Sequence, residues 1–160
     1  MFIPCTIKDM KELRIRSISY TPGYSDMRGA LHEAALKKNM DGKWIYVCRD
    51  REDFSSAMVS TVYGVCDDEM EQFADFILEK KILSLGDRPD DRDLLATDYR
   101  PWSWNIDYET SAAELEKGRC RIEEYKAYSD SDCKLLRELK ERFTALPKEK
   151  ISEQFCCRDS

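Results

Sequence analysis

The chain has 160 residues, 42% of them hydrophobic and 11% aromatic, with 26 Lys or Arg against 32 Asp or Glu. That length suits one domain able to bury roughly two-thirds of its unfolded surface, and the apolar content excludes wholesale disorder. No stretch approaches the ~20 consecutive apolar residues of a membrane-spanning helix, so no membrane association is expected.

The opening residues Met1 to Lys8 carry neither a basic leader nor a long apolar run, which implies a cytoplasmic protein. Leu13 to Tyr20, rich in apolar and β-branched residues, reads as a strand that stops at Thr21-Pro22-Gly23. Residues 29 to 38 admit two readings. Ala30, Leu31, Ala34, Ala35 and Leu36 have helix propensity, with Ser25 available as a cap. Asn39-Met40-Asp41-Gly42 followed at once by a strong strand instead marks a hairpin loop, and the hairpin is favoured. Lys43 to Arg49 and Ala57 to Val65 are the next two strands.

Asp67 to Lys81 is the clearest helix, because Met70, Phe73, Ala74, Ile77 and Leu78 repeat at helical spacing. Ile82 to Leu85 reads as a short strand and Gly86 to Arg100 as a charged loop. From Trp102 to Glu109, large apolar and polar residues alternate for eight positions. Trp102, Trp104, Ile106 and Tyr108 fall on one face of a half-buried strand, and Ser103, Asn105, Asp107 and Glu109 on the other. Residues 119 to 128 fit strand or helix. A second helix, about 130 to 146, lines up Leu135, Leu136, Leu139, Phe143 and Leu146, with Ser129 and Asp132 as a capping-box variant and Pro147 as the stop. The expected architecture is α+β: an antiparallel sheet of four to six strands covered by helices at about 67–81 and 130–146. It forms one domain over 1–147, with a polar, flexible tail over 148–160.

Chemistry is sparse. One histidine, His32, leaves no pair for a zinc site, and six glycines stand singly, so no loop can cradle phosphates. The seven cysteines (5, 48, 66, 120, 133, 156 and 157) form no Cys-x-x-Cys pair, and the odd count suits free thiols in a reducing compartment. The Asp-rich run 87–93 lacks the glycine and the terminal glutamate of a calcium hand. No catalytic residue, metal ligand or cofactor is assigned. The aromatics Trp102, Trp104, Tyr108, Tyr99 and Trp44 would make a stacking platform if exposed beside positive charge; their alternation favours the core.

Charge placement is more informative. Residues 66 to 93 hold ten Asp or Glu and four Lys or Arg, an excess of six negative charges that equals the excess of the whole chain. Such a concentration disfavours direct binding to nucleic acid and favours a basic protein surface. The sequence therefore points to a non-enzymatic protein-binding module that docks through Asp67, Asp68, Glu69, Glu71, Asp87, Asp90, Asp91 and Asp93. An inhibitor of a nucleic-acid-handling enzyme, such as a phage anti-defence (anti-CRISPR-like) protein, has this profile. Two alternatives are kept: a small metal- or carboxylate-dependent enzyme using Asp107 and Glu109, and an accessory domain that binds through its aromatic face.

Overall fold

The structure, a computed structural model, describes residues 13–23, 31–53, 55–90, 102–110 and 117–156. In chain order these form β1 (Leu13–Thr21), β2 (Leu31–Lys38), β3 (Trp44–Arg51), β4 (Met58–Gly64) and α1 (Asp67–Glu79). A 3-10 helix (Ile82–Asp87), β5 (Ser103–Thr110), β6 (Lys117–Glu123), α2 (Asp130–Thr144) and β7 (Glu149–Cys156) follow. The strands make one antiparallel sheet in the order β6-β5-β1-β2-β3-β4-β7. The chain is thus α+β, with a single seven-stranded sheet and two main helices.

The hairpin reading of 30–38 holds, since β2 pairs with β3 from Leu31↔Arg51 to Lys38↔Trp44. Asn39 closes the turn: its Oδ1 accepts from the backbone N–H of Asp41 at 2.9 Å and of Lys43 at 3.0 Å. Gly42 follows at φ +77°, where a side chain would be strained. Helix propensity in 30–36 yields to the ladder because Leu36 is fully buried opposite Tyr46.

Two expectations are corrected, and the open reading of 119–128 is resolved as strand up to Glu123. Ile82 to Leu85 is not a strand; Lys81 takes a left-handed backbone at φ 55° and turns the chain into the 3-10 helix. In that helix Ile82 and Leu85, three apart, fall on one side and are buried. Residues 117–123 are strand: Cys120 and Ile122 face inward between exposed Lys117, Arg119 and Arg121. A Cβ at Gly118 would run into the Tyr108 ring opposite it. The second correction sets the strand count. Residues 149–156, expected within the tail 148–160, are β7 and pair with β4 from Gly64↔Glu149 to Met58↔Cys156. An edge strand has one paired side and needs no apolar face, so this segment carries no alternation to read. Its Ile151 and Phe155 remain 63% and 68% exposed.

Both helices lie on one face of the sheet. α1 starts just after β4 and leads into the 3-10 helix packed on β6, so its ~20 Å length reaches across the strands. α2 starts beside the β6 end, where its capping box joins Ser129 and Asp132, and returns to β7. Phe143 of α2 is the centre of the core, 5.0 Å from Tyr46, 5.1 Å from Trp104 and 6.1 Å from Phe73, centroid to centroid. Among the described residues, no helix or strand covers the opposite sheet face.

Candidate functional site

α1 buries Met70, Phe73, Phe76 and Ile77. That fixes the opposite, outward face. Asp67, Glu71, Asp75 and Glu79, four residues apart, form one exposed ridge along it, with Asp68 beside its start. Successive carboxylates advance about 6 Å along the axis. Among the described residues none of these five pairs with a cation. The ridge runs against helix physics, since like charges at this spacing repel by about 0.2–0.5 kcal/mol per pair.

The predicted acidic residues divide into separate groups. Asp67, Asp68, Glu69 and Glu71 gather at the N-terminal end of α1, with Glu69 half-buried and the others exposed. Asp87 and Asp90 lie past its C-terminal end, where the Asp90 backbone pairs with that of Lys126 in an isolated antiparallel bridge beyond β6. Asp75 and Glu79 extend the first group toward the second. Asp91 and Asp93 lie outside the described residues. Within the second group Arg88 is engaged elsewhere: its Nε and Nη2 donate to Asp132 Oδ2 and Oδ1 at 3.0 and 3.2 Å.

The uncovered sheet face has a different character. Residues paired across strands share a face, so Asp107, Ser17 and Lys37 fall in one row. A register shift between Ile15 and Ser17 lets Ile15 and Ile18, three apart, both enter the core while Ser17 turns outward. Here β6, β5, β1 and β2 form a concavity of about 680 Å³ lined by Arg14, Arg16, Lys37, Lys38, Lys117 and Arg119, with Asp107 and Glu109. Arg119 Nε donates to Asp107 Oδ1 at 2.7 Å, and Ser17 Oγ donates to Asp107 Oδ2 at 3.1 Å. Arg16 lies 3.5 Å from Glu109. The Arg119 guanidinium, chiefly, holds the Asp107 carboxyl below its ordinary range against the opposing pull of partial burial. Asp107 and Glu109 are therefore salt-bridge partners of two arginines. Sequence reasoning singled out the two acids but missed the surrounding cations, which come one or two at a time from separate strands.

The aromatic residues do not assemble into one platform. Trp104 is buried at 2% exposure and Trp44 lies under the Lys38 ammonium. Trp102 is half-buried and stacks on Tyr128 at 6.3 Å. Tyr99 lies outside the described residues. Trp102, Trp104, Tyr128 and Tyr20 line a narrow groove of about 280 Å³ against α2, with Lys140 5.1 Å over the Tyr20 ring.

Four thiols are described, and all four are free: Cys66 and Cys133 are exposed, Cys48 is half-buried and Cys120 buried. Burial pushes the Cys120 thiol up to about 11. His32 is exposed, its Nδ1 3.0 Å from Asp50 Oδ1. Among the described residues, no three His, Cys, Asp or Glu side chains converge as metal ligands, and no helix is long and apolar enough to cross a membrane. Compared with known proteins, the chain matches no family model, no curated protein and no solved structure.

Proposed function

We propose that this protein is a non-enzymatic binding module whose α1 ridge enters a Lys/Arg-lined groove of a basic partner. The observation that carries the reading is the row Asp67, Glu71, Asp75 and Glu79, exposed and without cationic partners among the described residues. A row that costs the free helix stability is accounted for if the bound state neutralises it. Its pitch of about 6 Å is close to every second phosphate along one DNA strand, at about 3.4 Å per step. A groove built for nucleic acid would accept such a ridge. The partner class is accordingly a nucleic-acid-handling enzyme, and the action is inhibition by occupation of that groove.

The test uses the full chain as bait in lysate of its native host, beside a bait carrying Glu71→Lys and Asp75→Lys. Expected is a basic protein retained by the native bait, released as salt rises, and missing from the altered bait. Adding the native chain should then lower the nucleic-acid-processing activity of the captured protein. Retention indifferent to both salt and the two substitutions would refute the reading.

A further inference from the structure

We infer that the concavity on the uncovered sheet face is a second binding site, for a small ligand carrying two or more phosphate groups. Five cations (Arg14, Arg16, Lys37, Lys117 and Arg119) and two acids give the concavity an excess of three positive charges, in a chain whose net charge is −6; the Lys38 ammonium lies over the Trp44 ring instead. Arg14, Lys37 and Lys117 are exposed and have no acidic partner among the described residues. Cations held together repel one another, and a polyanion relieves that repulsion at several points together.

Arg119 spends Nε and Nη2 on Asp107 but keeps Nη1 for a ligand, and Ser17 fixes the far side of that carboxylate. Asp107 and Glu109 thus act as positioning residues that set Arg119 and Arg16 in place. Guanidinium forks match phosphate oxygens in shape as well as charge.

A volume of about 680 Å³ lies within the range of small-molecule sites, roughly 300–1,000 Å³. Beyond β2 the same face turns to Ile45, Val47 and Val62, and Arg49, which follows them on β3, is already engaged by Glu33 at 2.8 Å, so little free charge is offered to a longer strand of phosphates. A nucleic-acid strand would also use exposed aromatic rings for stacking; the described outward positions of these strands carry none, and Tyr108, which borders the concavity, packs its ring over Gly118 on the inner side.

The probe is tripolyphosphate, titrated calorimetrically at low salt, with inorganic phosphate and a 20-nucleotide single-stranded DNA as comparison arms. Expected is saturable binding of tripolyphosphate, weakened at least tenfold in Lys37→Glu/Lys117→Glu. The equal charge change Lys80→Glu/Lys81→Glu, on the other side of the sheet, should stay within twofold of the native chain. If the reversal variant misfolds, Lys37→Gln/Lys117→Gln serves, with a loss of at least threefold expected. Asp107→Asn should weaken tripolyphosphate severalfold although it removes a negative charge, which simple attraction would not do. No binding at millimolar tripolyphosphate would overturn the inference. So would equal affinity for inorganic phosphate, tighter binding of the DNA strand, or equal loss in the Lys80/Lys81 control. The site lies apart from the α1 ridge, so neither outcome bears on the partner reading.

Discussion

Glu71→Lys separates binding from folding. Glu71 has Asp67 four residues before it, Asp75 four residues after it and Asp68 three before it, all exposed on α1. Each like-charge pair costs about 0.2–0.5 kcal/mol and each opposite pair returns a similar amount. Reversing the central charge converts two repulsive i,i+4 pairs into attractive ones. The new lysine's pair with Asp67 has the favourable order, acid before base, and its pair with Asp75 the poorer one. Position 71 also lies beyond the first turn, where the helix dipole penalises a cation little. The sum is a gain of about 1 kcal/mol, or about 2–4 °C in Tm for a domain of this size. Glu71→Gln removes repulsion without adding attraction and should gain about half as much. Differential scanning calorimetry at low salt reads both shifts. In 1 M NaCl, where the screening length is about 3 Å, both should largely vanish. A fall in Tm, or a rise that survives high salt, would show that Glu71 has a structural partner and is not one of a free row. Joined to loss of the captured partner, a more stable Glu71→Lys would mean that the ridge is kept for binding at the expense of stability.

Phe143→Ala should lower the unfolding free energy by about 3–5 kcal/mol in urea denaturation, because the ring joins α2 to Tyr46, Trp104 and Phe73. A loss under 1 kcal/mol would contradict the packing described. Cys66 sits at the N-cap of α1 in extended geometry but makes no side-chain cap, so Cys66→Ser should add about 1 kcal/mol to the same measurement. Acid should destabilise the fold through Asp132, whose carboxyl Arg88 holds below the ordinary range. A depressed carboxylate stabilises above its unfolded value near pH ~4 and loses that contribution as pH falls through the lower folded value. Urea midpoints measured from about pH 5 down to pH 2 should fall less steeply in Asp132→Asn; an unchanged slope would remove Asp132 from the account.

What was legible in the sequence was whatever a single segment repeats. The β5 alternation, the apolar stripes of α1 and α2, the Ser129–Asp132 box and the Asn39–Gly42 turn each need only their own residues. β7 was illegible because an edge strand exposed on its outer side need not alternate, and its polar residues read as tail. The 82–85 stretch misled because two buried aliphatics three apart suit a 3-10 turn as well as a strand, and Lys81 gives no sign of a left-handed backbone. The acidic segment was visible as charge density, but only the helical period resolves it into a ridge of Asp67, Glu71, Asp75 and Glu79 with Asp87 and Asp90 apart. The basic concavity left no local mark. Arg14, Lys37 and Arg119 come from β1, β2 and β6, and the sheet order alone makes them neighbours.

Net charge hides this arrangement, because −6 is a sum over the whole chain in which an acidic helix face and a basic sheet face partly cancel. The two lie on opposite sides of the fold, with the sheet and the thickness of α1, about 10 Å, between them. At 0.15 M salt the screening length is about 8 Å, so neither face feels much of the other's field. Their charge reversals should therefore act independently. In a chain carrying Glu71→Lys, Asp75→Lys, Lys37→Glu and Lys117→Glu, tripolyphosphate affinity should match that of the lysine-reversal variant within about twofold. Partner retention should likewise match that of the ridge variant, the additivity expected of distant sites. Near 0.01 M salt, where the screening length grows to about 30 Å, the ridge reversals should begin to strengthen tripolyphosphate binding. Strong coupling already at 0.15 M would mean that the two faces share a conformational change, and a rigid two-layer fold would no longer describe how this protein presents its charges.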